Sequence, residues 1–493
     1  MTTTLYTKNR ILYWSIFIFV VGCFGFILAI YPVAVDDWWV LEEVRDCGIL
    51  GTFKLRYLSD NSRIGNFLGI SLIKAPRWIP KTICIFSFTL GFWLITKVCG
   101  LKSVQWKSLS LLSFLIWVAP MWEDSMFSHM YAFNYIVSIP LFFASIYLFI
   151  RPSICPIWVG GVIAFFLGCW HEAYGIVFFS GAILNFLTRS SSFTKYRLIL
   201  VISCFLGLLW FAFTPAIYAR SSSYYFIFYS LFKLYYCWIY LIYLVLWIFC
   251  YFKINKEIAK QPIQLFSLGS GIMLIIVARY GIARAFMPSI LLCSCSMTII
   301  ISAIGTNINL SIKRFSAICL TSFTVISLIL TCSETIKVTK MLNYVINIYA
   351  KSDKKTSYIF APVTYIWHAP NLTLRRPENI LEPFGKNMHY LYTYFNKVIF
   401  IIPEELQDYS GRKGEMISDN PNLRLYKGHI ISSNVNDTAY HHCNIDYGLR
   451  TEYTEILRTI FTANDGNQYV YMLPVRSTIS TYLGEPISIE LVK

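Results

Sequence analysis

Charge is scarce in this chain. Asp, Glu, Lys and Arg make up 14% of its 493 residues while 56% are hydrophobic, a balance that excludes an ordinary water-soluble protein of this length and reads as a polytopic membrane protein. Acid is scarcer than base, with 26 Asp and Glu against 42 Lys and Arg and a formal net charge of +16. Those bases are spread over short loops between apolar runs and are not gathered on one face. The distribution argues against nucleic acid and for a role in membrane orientation.

Several motifs are missing. The chain carries no P-loop, GxGxxG, HExxH or GxSxG, so nothing in it suggests nucleotide hydrolysis, a dinucleotide cofactor, a zinc protease or an ordinary serine hydrolase. Disulfides are not indicated either. Of 14 Cys, only Cys443 lies beyond Glu334, and most others (Cys23, Cys84, Cys169, Cys204, Cys250, Cys293, Cys295) sit inside apolar runs as small hydrophobes. The opening MTTTLYTKNR and the apolar run after it lack a small-residue cleavage site, which predicts a retained first span.

What is present is a series of apolar runs. Eleven can be placed, near 11–31, 82–97, 108–122, 134–150, 155–170, 173–188, 198–218, 226–252, 263–278, 285–305 and 315–332, with a span needing roughly 17 to 25 residues. The stretch Ile64–Ile73 is too short to cross and reads as interfacial. With the N-terminus inside, Lys8, Arg10, Lys97, Lys102, Lys107, Arg151, Arg189, Lys195, Arg197, Lys253, Lys256, Lys260, Lys313 and Arg314 all fall in cytoplasmic turns. Asp36, Asp37, Arg63, Glu123, Asp124, Glu172, Arg220, Arg279 and Arg284 then fall on the outer side.

The composition changes after Cys332. Residues 1–332 read as a transmembrane module with a long first outer loop, 32–81, and 333–493 as a soluble α+β domain, with short strands such as NQYVYMLPV and ISIELVK. An odd number of spans puts that domain on the side of the outer acids.

Four outer stretches carry candidate chemistry. In AVDDWW, Asp36 and Asp37 are adjacent carboxylates flush with the first span, costly to desolvate and suited to taking a proton from a hydroxyl or holding a sugar hydroxyl or divalent ion. The plain alternative is an interfacial loop whose acids are solvated or pair with Arg45 or Arg56. Arg63 and Asn66 follow in the same loop. In PMWEDSMFSHMYAFN, Glu123 and Asp124 form a second acidic pair among rings on which sugars stack, or an interfacial aromatic belt. In CWHEAYG, His171 and Glu172 lie at the junction of two closely joined spans; two ligand types in sequence are weak grounds for a metal, and an acid at a helix start also suits the macrodipole. In VARYGIARAFMPS, Arg279 and Arg284 are suited to gripping a lipid phosphate or to snorkelling among head groups.

A first span ending in a diacidic motif, a long outer loop, about eleven spans, outer arginines near the last ones and a terminal outer domain resemble the GT-C superfamily of integral-membrane glycosyltransferases. Among bacterial branches the chain is most similar to the serotype-converting glucosyltransferases that modify O-antigen. The resemblance implies an inner-membrane enzyme with its C-terminal domain in the periplasm. It would move a hexose, glucose first among them, from undecaprenyl phosphate to O-antigen or another cell-surface polysaccharide. It also implies that Asp36 or Asp37 deprotonates the acceptor hydroxyl, which displaces the lipid phosphate with inversion, and that Arg279 and Arg284 hold that phosphate. Arg63, Glu123, Asp124, His171 and Glu172 are then candidates for substrate binding. Magnesium or manganese dependence varies across the superfamily. A separate enzyme and a flippase would supply the donor.

Two rivals stand beside this reading. An O-antigen polymerase or ligase places its large outer loop late and between spans. A transporter or flippase favours charges at mid-span and broken helices, whereas here charge gathers at the ends of the apolar runs.

Overall fold

The computed structural model describes residues 2–33, 36–59, 62–119, 124–152, 154–188, 193–216, 238–274, 283–305, 309–351, 358–361, 400–411, 413–416, 420–426, 429–446, 451–474 and 488–492. They fall into two compact units, one up to Ile336 and one from Lys337 on.

The first unit is helical. Its helices are α1 (Thr2–Ile30), α2 (Asp36–Ser59), α3 (Ile64–Leu72), α4 (Trp78–Val98), α5 (Trp106–Val118) and α6 (His129–Ile150). Beyond them lie α7 (Ile157–Trp170), α8 (Glu172–Thr188), α9 (Lys195–Ala212), α10 (Trp238–Phe249), α11 (Pro262–Gly269), α12 (Met287–Ile304) and α13 (Leu310–Lys351). Among the described residues six stretches are long and apolar enough to cross a membrane: Tyr6–Ile30, Trp78–Val98, His129–Ile150, Lys195–Ala212, Met287–Ile304 and Leu310–Lys337. Each falls on one of the eleven apolar runs. The other five runs fall on apolar helices of 10–17 residues: Trp106–Val118, Ile157–Trp170, Glu172–Thr188, Trp238–Ile254 and Pro262–Leu274. Length and composition therefore establish six candidate spans and not eleven. Large apolar side chains face outward on these helices, among them Ile18, Trp158, Leu206, Val245 and Phe315. That is costly in water and favourable in lipid, as in a membrane-embedded protein.

Close backbone approach and buried polar contacts join the helices. Gly168 of α7 and Gly207 of α9 pack so tightly that a Cβ on Gly168 would lie 2.9 Å from the Gly207 Cα, the small-residue packing by which helices associate in lipid. Between α11 and α12, Ser267 and Ser296 share a hydrogen bond of 2.6 Å, and Gln264 Nε2 donates to the Ser296 carbonyl at 3.2 Å.

The composition change at Cys332 falls inside α13, which continues to Lys351. Past that helix, the described elements of the second unit are strands and 3-10 turns, so the expected α+β domain is strand-rich. Strands β3 (Glu415–Met416), β4 (Leu423–Tyr426), β5 (His429–Ser432), β6 (His442–Asp446), β7 (Thr451–Thr462), β8 (Gln468–Pro474) and β9 (Ser488–Val492) form one sheet in the order β3-β4-β5-β8-β7-β6-β9. All its pairings are antiparallel, and β7 and β8 run in register from Ile456 opposite Pro474 to Thr462 opposite Gln468. Alternation assigns its faces: Ile430 packs with Leu423, Cys443, Val470 and Met472, while Ile431 packs with Phe461, Tyr469 and Tyr471. A parallel pair joins β1 (Tyr358–Ala361) to β2 (Phe400–Pro403).

Candidate functional site

Asp37 is buried, with none of its surface exposed. Its Oδ2 accepts the backbone N–H of His129 at 3.0 Å and its Oδ1 that of Met130 at 2.8 Å. The first N–H groups of a helix have no partner within it, and the helix dipole favours an anion there. Asp37 thus fastens the start of α2 to the start of α6. The His129 ring lies the other way, with Nε2 donating to the Gly69 carbonyl of α3 at 2.7 Å; a carbonyl only accepts, so the ring proton is on Nε2.

Lys81, in the first turn of α4, donates through Nζ to the Tyr31 carbonyl at 2.7 Å. This is the mirror of the Asp37 contact, a cation on an orphan carbonyl at the end of α1.

α6 opens with a π turn at Ala132–Ile136, a distortion that often marks functional sites. Trp170, at the end of α7, donates through Nε1 to the Phe133 carbonyl within that turn at 2.8 Å. Asn134 of the same turn bonds the Asn66 side chain of α3, and its carbonyl accepts from Ser138 Oγ. Gly65 sits in this knot. A Cβ there would come within 2.7 Å of Trp170 Nε1 and 2.9 Å of Asn134 Oδ1, so only glycine lets α3 approach so closely.

Arg63 and Glu172 meet across the same region. Arg63 Nε donates to Glu172 Oε2 at 2.7 Å and Nη2 reaches Oε1, with side chains 13% and 25% exposed. The pair is two-pronged and sheltered, the strong form of an arginine–carboxylate contact. His171 is buried against Tyr135, with ring centroids 4.5 Å apart, and its Nδ1 accepts the Ala173 N–H at 3.2 Å. Ser62 and Thr214 share a buried hydrogen bond of 2.7 Å, joining the same loop to the end of α9.

Arg45 and Arg56 of the first loop are engaged elsewhere. Arg45 pairs with Asp46 at 2.7 Å and Glu42 at 3.9 Å, and its guanidinium holds the exposed Asp46 carboxyl below the ordinary range. Arg56 pairs with Glu43 at 2.8 Å and lies 3.8 Å over the Trp39 ring. The helix that carries them is broken at Gly48, whose φ of 71° is open to glycine.

These contacts join the ends of α1, α7 and α9 to the starts of α2, α4, α6 and α8. The start of α6, the end of α7, the start of α8 and the end of α9 alternate along the chain, so the polar groups collect at one end of the helical unit. Of the residues singled out in the sequence, Asp37, Arg63, His171 and Glu172 belong to this cluster. Asp36 opens α2, and Asp124 and Arg284 lie in 3-10 turns; their side chains, together with Glu123 and Arg279 entirely, lie outside the described residues. Sequence reasoning missed Lys81, His129, Asn134 and Trp170. Their common mark is a polar or amphipathic group within a turn or two of the end of an apolar run. Among the described residues no three His, Cys, Asp or Glu side chains gather as a metal cage.

No model of a known protein family matches the chain, and no curated protein matches it.

Proposed function

We propose that this chain is a membrane glycosyltransferase of GT-C type, moving a hexose from a polyprenyl phosphate, undecaprenyl phosphate in a bacterial inner membrane, to a cell-surface polysaccharide on the outer face. On this reading all eleven apolar helices cross or enter the bilayer, with the N-terminus in the cytoplasm and the strand-rich domain in the periplasm. The observation that carries the reading is the diacidic start of α2, which follows the first span, with Asp37 bonded into a polar cluster at one end of the helical unit.

A carboxylate of that pair takes the proton of an acceptor hydroxyl. The hydroxyl oxygen forms its bond to the anomeric carbon as the bond from that carbon to the lipid phosphate breaks, and the electron pair leaves with the phosphate. The carbon is inverted. Arg279 and Arg284 receive the phosphate charge, as guanidinium forks fit phosphate oxygens. Arg63 and Glu172, bonded to each other, shape the wall of the acceptor site and leave other groups to do the proton transfer. No nucleotide is needed, in keeping with the absence of any nucleotide-binding motif.

The test is donor dependence. Membranes containing the chain, given a labelled polyprenyl-phosphate hexose or the matching nucleotide sugar, transfer label from the first without the second. Transfer from the nucleotide sugar alone, in membranes lacking the enzymes that make lipid-linked sugars, contradicts the reading.

A further inference from the structure

Of the two adjacent acids, Asp37 is held in place by the fold. The Asp37 side chain has no exposed surface, so an acceptor hydroxyl has no approach to it in this conformation. Each of its oxygens is already bonded to a backbone N–H, from His129 and from Met130. Those N–H groups belong to the first turn of α6 and have no carbonyl of their own helix to meet. Withdrawing the carboxylate would leave two buried donors unsatisfied, a cost in its own right. A proton placed on Asp37 would also compete with the N–H bonds that hold it.

The turn that Asp37 fastens leads directly into the π turn Ala132–Ile136, whose groups hold Asn66 and Trp170, and His129 ties it to Gly69. A carboxylate in this position sets the geometry of one whole side of the cluster. It is spent on structure.

Resting on the proposed glycosyl transfer, we infer that the two acids divide the work: Asp37 is a positioning residue that clamps the start of α6, and Asp36 is the base that receives the acceptor proton. The balance is that of a single displacement. The Asp36 carboxylate gains the hydroxyl proton, the acceptor oxygen gains the anomeric carbon, and the lipid phosphate leaves with the bonding pair; Asp36 then returns its proton to water.

Alanine and asparagine at each position separate the two roles. Asparagine keeps one side-chain oxygen able to accept an N–H but cannot act as a base. The full-length chain in membranes is assayed for hexosyl transfer per folded molecule and for its thermal unfolding midpoint. Asp36→Asn and Asp36→Ala are expected to be equally inactive, down by about 10²–10⁴-fold. Asp37→Ala is expected to lower the midpoint by several degrees and to reduce transfer per folded molecule, and Asp37→Asn to recover part of both. If both Asp37 variants are equally inactive at an unchanged midpoint, Asp37 is the base; the division is then overturned while the transfer reaction stands. Wild-type membranes that use no polyprenyl-phosphate hexose overturn the reaction and the role of Asp36 together. The midpoint of Asp37→Ala decides the clamp in either case: one equal to that of the wild type overturns it.

Discussion

Arg63 and Glu172, 109 positions apart, are joined by two hydrogen-bonded contacts, Nε to Oε2 at 2.7 Å and Nη2 to Oε1. The pair ties the loop before α3 to the start of α8. Removing either partner takes this two-pronged contact from a partly buried charge. Arg63→Met and Glu172→Gln are each expected to destabilise the helical unit, and a double-mutant cycle should return a coupling of about 1–3 kcal/mol. Thermal unfolding of the four proteins measures it, and additive effects would show that the contact carries no energy.

The approach of α7 to α9 makes a sharper steric prediction. A Cβ on Gly168 would lie 2.9 Å from both the Gly207 Cα and the Leu208 N, and backbone atoms cannot turn aside as a side chain can. Gly168→Val is expected to cost at least about 1–3 kcal/mol, read as a lower unfolding midpoint and a lower folded yield. Gly22, whose added Cβ would meet nothing within 4 Å, is the control: Gly22→Ala should leave both unchanged.

Topology can be read from a native thiol. Cys47 is exposed on α2, and the proposed orientation puts α2 on the outer face. A membrane-impermeant maleimide added to intact cells is expected to label the wild type and to lose that label in Cys47→Ser. Labelling of Cys47 only after the membrane is opened would invert the assigned orientation.

In the strand-rich unit, Asp437 is buried and accepts from Ser432 Oγ at 2.5 Å, Asn434 Nδ2 at 3.1 Å and Asn420 Nδ2 at 3.2 Å. Asp437→Ala removes the acceptor common to three donors. The expected loss is about 1.5–3 kcal/mol, the scale of a hydrogen bond to a charged group, seen as earlier unfolding of this unit in the full-length chain. Asp437→Asn should retain part of it.

The sequence disclosed the helices more readily than the site. A run of apolar residues long enough for a helix is a local signal, and each of the eleven runs falls on a helix. The helices Trp106–Val118 and Ile157–Trp170 are shorter than the six candidate spans, and the apolar runs alone did not mark where they would stop. The acids at Asp36 and Asp37 stood out by their cost beside a span. The partners of Asp37 did not, because they are backbone N–H groups more than 90 residues away, and any residue other than proline supplies such a group. Glu172 and Arg63 were visible separately as outer charges; their pairing depends on the loop before α3 folding back to α8. In the second unit, alternation marked β8 and β9, while the order of the sheet rests on contacts far apart in the chain.

The central claim is sugar transfer by a single displacement at the diacidic start of α2. Its most direct test is the product formed by the purified chain in lipid nanodiscs from a synthetic polyprenyl-phosphate hexose and a polysaccharide acceptor, with Asp36→Asn beside the wild type. A new glycosidic bond of inverted anomeric configuration is expected from the wild type, and its loss in the variant. A product that retains the donor configuration, or equal turnover by the two proteins, would contradict it.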